Sequence, residues 1–218
     1  MNAAPELSGA KSEIKSLTQK NVKQSLELDA LDAYQRRDSV IFSGSKVPSV
    51  TSNENCSNII RNLVRTELLM PQFDPLISTA HRLGKPPSPS SNLPDNRDII
   101  VRFCQKDVKY RVHDAARKLK INGLYVNESL TINRRKIMAV LRQVVRDHKD
   151  MIRSCSTYNG NCFVYTLPSP NAPATAKTIK TEINTIEALE NFCSNFVKKP
   201  LKHFLDILAA KPRGSRAS

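Results

Sequence analysis

The side chains able to do chemistry in this chain are overwhelmingly cationic, and the chemistry they suit is the holding of phosphate. Arg134 and Arg135 stand side by side at the start of an expected helix, where two guanidinium groups oppose the helix dipole. A fold tolerates such a pair most readily when an anion or a neighbouring acid compensates it, which makes the pair the first candidate site. A guanidinium is a planar fork that pairs with phosphate through two hydrogen bonds or stacks on a base. Over the whole chain of 218 residues, 34 Lys and Arg oppose 20 Asp and Glu, giving a formal charge of +14. Each cation that neutralises a phosphate releases condensed counterions, so the balance favours a nucleic-acid partner.

Groups for other chemistries are missing or badly spaced. The four histidines are scattered and no two of the five cysteines form a CxxC pair, so no metal site is expected. There is no deaminase zinc signature, phosphate-cradling Walker loop, GxSxG elbow or GxGxxG turn, and six glycines leave little for such loops. Asp147 and Asp150 lie on a basic helix, where salt bridging accounts for them. No catalytic residue, cofactor or small-molecule substrate is expected. The odd cysteine count without a secretory leader reads as reduced thiols in a cytoplasmic or nuclear protein that is not secreted. No apolar run approaches the ~20 residues of a membrane span.

The elements that must position the cations follow from periodicity. Residues 1–10 are expected to be disordered. Over residues 11–35, which lack Pro and Gly, Ile14, Leu17, Asn21, Gln24, Leu28 and Leu31 fall on the 3-4 spacing of a coiled-coil seam. This predicts a short oligomerisation helix, with Asn21 as a polar residue that sets register. Ser39–Gly44 reads as a strand. A capping box at Thr51–Glu54 then opens a helix carrying Ile60, Leu63 and Val64 inward. Leu76–Leu83 is a second strand, and the Ser/Pro-rich stretch Pro86–Pro94 is a loop. Arg97–Phe103 is a third strand, Lys106–Lys120 a helix with Val108, Val112, Ala115 and Leu119 on one stripe, and Gly123–Asn127 a fourth strand. This β-α-β-β-α-β order is the split arrangement used by RNA-recognition modules. A helix from Thr131 to about Arg153 follows. Next comes a hairpin about Asn159-Gly160, the strongest short turn signal. A Pro/Ala linker over 167–176, a strand and a helix from Ile179 to Phe196, and a basic tail over 197–218 complete the chain.

Four blocks in this order resemble the first-open-reading-frame proteins of LINE-type retrotransposons and the related baculovirus few-polyhedra protein family. Leu28–Tyr34, with Arg36-Arg37 and Val40–Phe42, looks like the junction of coiled coil and first strand. Thr79–Gly84 matches the family's AHRLG block, and Arg97–Phe103 its RPIIVRF strand. Tyr125–Thr131 with Arg134-Arg135 matches its INEDLT…RR block. The chain differs in having Asp98 for the usual Pro and Ser129 for an acid, and its coiled coil is shorter.

The resemblance implies an α+β architecture: a coiled-coil helix, an RRM-like domain over 36–128, and a small helix-plus-hairpin C-terminal domain over 129–196. It implies binding of single-stranded RNA or DNA, with chaperone activity in some members and basic residues of both domains serving a shared surface. Carried onto this sequence, the candidates are Arg36 and Arg37 at the junction, Arg82 in the AHRLG block, and Arg97 and Arg102 on the third strand. Arg134 and Arg135 follow, and Arg142 lies further along the same helix. Self-association is expected through Ile14, Leu17, Asn21, Leu28 and Leu31. Phe103 alternates with Ile99 and Val101 and belongs to a core, so backbone gripping is favoured over base stacking on the sheet. A structural or assembly protein of the few-polyhedra type, or a coiled-coil adaptor acting through protein partners, is the alternative.

Overall fold

A computed structural model of the chain describes residues 4–87, 95–170, 172–173 and 175–210. The molecule is α+β, with helices and two antiparallel sheets. Its contacts group into two compact units. One comprises Arg36–Leu130 with Thr157–Gly160, and the other Thr131–Ser156 with the described residues up to Gln35 and from Asn161 onward.

In the first unit the expected β-α-β-β-α-β order is observed. It runs β1 (Ser39–Ser43), α2 (Cys56–Thr66), β2 (Ile77–Arg82), β3 (Ile99–Phe103), α3 (Lys106–Leu119) and β4 (Tyr125–Glu128), and α1 is the N-terminal helix Ala4–Arg36. The sheet order is β2-β3-β1-β4 with antiparallel neighbours throughout. Alternation along the strands sends Val40, Phe42, Ile99, Val101 and Phe103 into one core with Ile60, Leu63 and Val64 of α2 and Val108 and Val112 of α3. Phe103 is buried as its alternation requires. Leu119, expected on the buried stripe of α3, is exposed beside the helix end, where Lys120 turns left-handed at φ 46°.

The cap of α2 is Asn55 rather than the Thr51 box: its side chain accepts from the Asn58 amide at 3.1 Å. One turn demands glycine. Gly44 has φ +108°, and a Cβ there would lie 2.4 Å from the Gly123 carbonyl oxygen, which already accepts from the Lys46 amide at 2.9 Å. Of the expected loop Pro86–Pro94, residues 88–94 lie outside the described residues.

The second unit contains α1 up to Gln35, α4 (Ile132–Asp147), β5 (Ile152–Tyr158) as far as Ser156, β6 (Asn161–Thr166) and β7 (Ile179–Glu182), α5 (Ile186–Phe192) and α6 (Leu201–Ala210). The sheet order is β5-β6-β7. Asn159 and Gly160, at φ 55° and 78°, give the left-handed pair that a type I′ turn needs. The Thr131 side chain caps α4, accepting from the Arg134 amide at 3.3 Å. Ile137, Leu141 and Val144 of α4 are buried, as are Cys162 and Val164 of β6.

Three boundaries correct the sequence reading. First, α1 starts at Ala4, within the stretch expected to be disordered, because Pro5 in a first helical turn forfeits no internal hydrogen bond. Second, α4 stops at Asp147 instead of running to about Arg153, and Ile152 starts a strand beside β6, so sheet pairing overrides the local helical pattern. Third, the expected tail forms α6, which lies against α4 with Leu201 and Phe204 buried. The remainder of that tail, from Lys211 on, lies outside the described residues.

Candidate nucleic-acid interface

The helix α4 carries five cationic side chains and one acid, and its geometry sorts them. Arg135, Arg142 and Arg146 fall at i, i+7 and i+11, within a narrow arc at 100° per residue, and Lys149 lies in the turn past the helix end, beyond the non-helical His148. All four are exposed. Among the described residues no hydrogen bond or ion pair engages the guanidinium of Arg135 or Arg142. Arg146 is steadied by the Gln143 side-chain carbonyl at 2.7 Å, and the Gln143 amide in turn donates to Asp147 at 2.8 and 2.9 Å. Burial pushes the Cys155 thiol of β5 above its ordinary value, and the fields of Arg142 and Arg146 act against that shift. Arg146 shares the helical spacing of Arg135 and Arg142, a signal the sequence itself carries.

Arg134 behaves differently from its neighbour. Its side chain is 9 % exposed, its Nε donates to Asp29 of α1 at 3.2 Å, and its Nη1 donates to Asn161 at 2.8 Å. The acid that compensates the helix start is thus supplied by the chain itself.

In the first unit, the face of the sheet opposite the core bears Thr79 and His81 of β2, Ile100 and Arg102 of β3, Ser39, Ile41 and Ser43 of β1, and Tyr125 and Asn127 of β4. Arg102 is exposed there, directly opposite Ser39. The two central strands offer aliphatic Ile41 and Ile100 on this face, and the one aromatic, Tyr125, lies on an edge strand. A sheet of this composition holds a backbone through Arg102 better than it stacks a run of bases.

Arg82 turns its guanidinium inward, and the partly exposed Arg97 is held in an ion pair. Arg82 is 4 % exposed in its side chain and forms a bidentate pair with Glu54 at 3.0 and 2.8 Å, while also donating to the carbonyls of Arg97 and Pro48 at 2.7 Å each. This pairing, chiefly the Arg82 hydrogen bonds, holds the Glu54 carboxyl below its ordinary value. Arg97 clasps Asp95 at 2.8 and 3.0 Å and reaches the Gly84 carbonyl at 2.9 Å. Both arginines fasten loops onto the sheet. Arg37 is half-buried, approaches Asp38 at 3.5 Å, and lends its carbonyl to Lys109 at 2.6 Å; Arg36 is half-buried where α1 ends.

One polar cluster was not anticipated. Lys109 of α3 and Glu128 of β4 form a buried ion pair, and Glu128 also accepts from the amides of Asn159 and Gly160 at 3.1 and 3.2 Å. Beside it the Tyr110 and Tyr158 rings stack at 5.4 Å, Tyr110 donates to the Asn159 side chain, and half-buried His113 lines a cavity of about 240 Å³ with them. Lys109 lies next to the apolar stripe of its helix, so the sequence carried no sign of a buried charge there.

Among the described residues no group of three or more His, Cys, Asp or Glu is placed to hold a metal ion, and no helix is long and apolar enough to cross a membrane. No protein-family model and no curated protein matches the chain.

Proposed function

We propose that this chain is a non-enzymatic binder of single-stranded RNA or DNA that grips the phosphate backbone. The observation that carries the reading is the stripe of Arg135, Arg142 and Arg146 along one exposed side of α4. Cations at this spacing repeat along the helix at 1.5 Å per residue, so an extended backbone laid beside it meets several of them in succession. With +14 overall, the chain also draws polyanions from a distance. Arg102 on the open sheet face is a second contact, in the other unit. Arg134 acts as the support that fixes the start of the α4 stripe, and Arg82 and Arg97 hold the loops around the sheet.

The β-α-β-β-α-β order and the β2-β3-β1-β4 sheet support reading the first unit as an RRM-like domain. With the motif blocks described above, they support a place among retroelement first-open-reading-frame and few-polyhedra proteins, which would add strand-exchange chaperone activity and self-association through α1.

The test is titration of fluorescent single-stranded oligonucleotides at two salt concentrations. The expected result is micromolar or tighter binding at low salt that weakens steeply as salt rises, with a log–log slope near about −3 for four phosphate contacts on a single strand. Absence of binding at low salt, or binding indifferent to salt, contradicts the proposal and favours a role through protein partners.

A further inference from the structure

Among the described residues other than glycine, Asn53, Leu69, Lys120, Asn159 and Lys198 have positive φ. The asparagines and lysines carry side chains at home in water, and Leu69 is the exception. It lies just past the end of α2 at φ 52°, a left-handed position that usually falls to glycine because a Cβ there crowds the backbone. The bend lets the Met70 amide donate back to the Val64 carbonyl at 3.3 Å, a bond that glycine would permit without strain. Nor does the core hold the leucine. Its side chain leaves the residue 69 % exposed, while Met70 and Phe73 pack inward. Within the fold Leu69 therefore carries backbone strain with little packing to offset it, a combination found where a residue serves a contact outside the fold.

The loop after Leu69 folds back along α2. The Phe73 amide donates to the Met70 carbonyl at 3.0 Å, and the Asp74 carboxylate meets Arg61 at 3.1 Å and Arg65 at 3.5 Å. Leu76, two residues further on, is 53 % exposed. Leu69 stands one helical turn of sequence past Arg65, so the Arg65–Asp74 pair brings both leucines toward the same end of α2. Charge around them is unbalanced. Two arginines share the carboxylate of Asp74, Glu67 is already answered by Lys46 at 3.2 Å, and the Arg111 guanidinium lies over the Phe73 ring at 4.2 Å.

We propose that this end of α2 is a docking surface for a partner protein that presents a short segment of apolar residues interspersed with acidic ones. Leu69 and Leu76 take its apolar side chains, and Arg61, Arg65 and Arg111 take its carboxylates. A phosphate backbone would satisfy the arginines and leave both leucines in water, so a polypeptide suits the patch better than RNA or DNA does. The surface lies within the first unit and does not depend on the α4 stripe or on the nucleic-acid reading.

The test selects peptides from a random phage-displayed library on the full chain and titrates each by fluorescence anisotropy against wild type and Leu69→Gly. Glycine suits the left-handed turn, so the variant should melt no lower than wild type, and its loss of binding is then no loss of fold. The selected peptides should combine Leu, Ile or Phe with Asp or Glu. They should bind Leu69→Gly about tenfold or more weakly than wild type, as loss of a buried leucine contact requires. Binding should also weaken on Leu76→Ser and when the peptide's acids become Asn and Gln, and should survive an excess of single-stranded oligonucleotide. A selection that yields no peptide, or only peptides that bind wild type and Leu69→Gly alike, overturns the docking surface. Displacement by the oligonucleotide overturns it in favour of nucleic acid. A wild-type assembly that Leu69→Gly dissociates in sedimentation equilibrium overturns it in favour of a second copy. A Leu69→Gly chain that melts below wild type shows that the leucine supports the fold, and removes the ground for assigning it to a partner. The oligonucleotide titration above stands or falls separately from all of these.

Discussion

The Arg134 guanidinium donates to the Asp29 carboxylate at 3.2 Å, joining the start of α4 to the N-terminal helix across 105 residues of sequence. Arg135, the next residue, is exposed and held by no such bond among the described residues. Two adjacent identical side chains therefore divide the work. One is spent on the fold, and the other is open to a ligand.

Substitutions at the two positions are expected to separate stability from binding. Arg134→Ala or Asp29→Ala leaves a poorly solvated charge without its partner and should lower stability by about 1–3 kcal/mol. Arg135→Ala should stay within about 0.5 kcal/mol of wild type, as exposed substitutions do. Urea denaturation of the three variants measures this. Equal losses at both arginines would contradict the division.

A similar distinction is expected in the first unit between Arg82 and Arg102. Arg82→Ala removes a bidentate bond to Glu54 and two bonds to carbonyls, and should cost about 2–4 kcal/mol, with Glu54→Ala costing a comparable amount. Since Arg82 is turned inward, its loss should leave the salt dependence of oligonucleotide binding unchanged when the measurement is made under folding conditions. Arg102→Ala should do the reverse, with full stability and a shallower slope. Thermal denaturation paired with a salt titration distinguishes them.

Stability is expected to fall on mild acidification because of His113. Burial is the main cause that holds this imidazole below its ordinary value of 6.5; Lys109 and Arg117 act in the same sense and Glu128 and Asp114 oppose them. The unfolded chain therefore takes up the proton first. The contribution of His113 is complete above about pH 6.5 and is lost as pH falls from there toward the folded-state value. Glu54, Asp95 and Asp114 are held below their ordinary values by Arg82, Arg97 and Lys118 respectively. Their contributions are present above the unfolded carboxylate range and are lost only as pH falls through it, so the two windows are distinct. Melting temperatures of wild type and His113→Gln at pH 7.5 and pH 5.5 report on the first window alone. The wild type should lose stability over that interval and the variant should lose distinctly less; equal losses would rule His113 out as the cause.

Local patterns were legible in the sequence where local physics decides them. Alternation placed Phe103, Val101 and Ile99 in the core, and Asn159-Gly160 announced a turn that requires two positive φ angles. The order of strands and helices in the first unit followed from the same periodicities. Features set by distant partners were not legible. Arg82 looks the same in sequence whether it meets a phosphate or Glu54, 28 residues earlier, and Arg134 looks the same whether it meets a phosphate or Asp29. Lys109 and Glu128 are buried because each supplies the charge the other lacks, which neither position reveals alone. The helix α6 was hidden by the lysines around it, although Leu201, Phe204, Leu205 and Leu208 already had helical spacing. Of the eight arginines expected to bind, Arg135, Arg142 and Arg102 are presented to solvent without an ion pair among the described residues, while Arg82 and Arg134 are engaged inside the fold and the partly exposed Arg97 is paired with Asp95.

The central claim is that the α4 stripe grips phosphates, and the salt dependence of the Arg135→Ala/Arg142→Ala/Arg146→Ala variant tests it most directly. Each phosphate contact contributes about −0.7 to the log–log slope on a single strand. Removing three contacts should make the slope shallower by about 2 and weaken binding at low salt across all sequences alike, with the fold intact by circular dichroism. A folded variant whose affinity and slope equal those of the wild type would contradict the account.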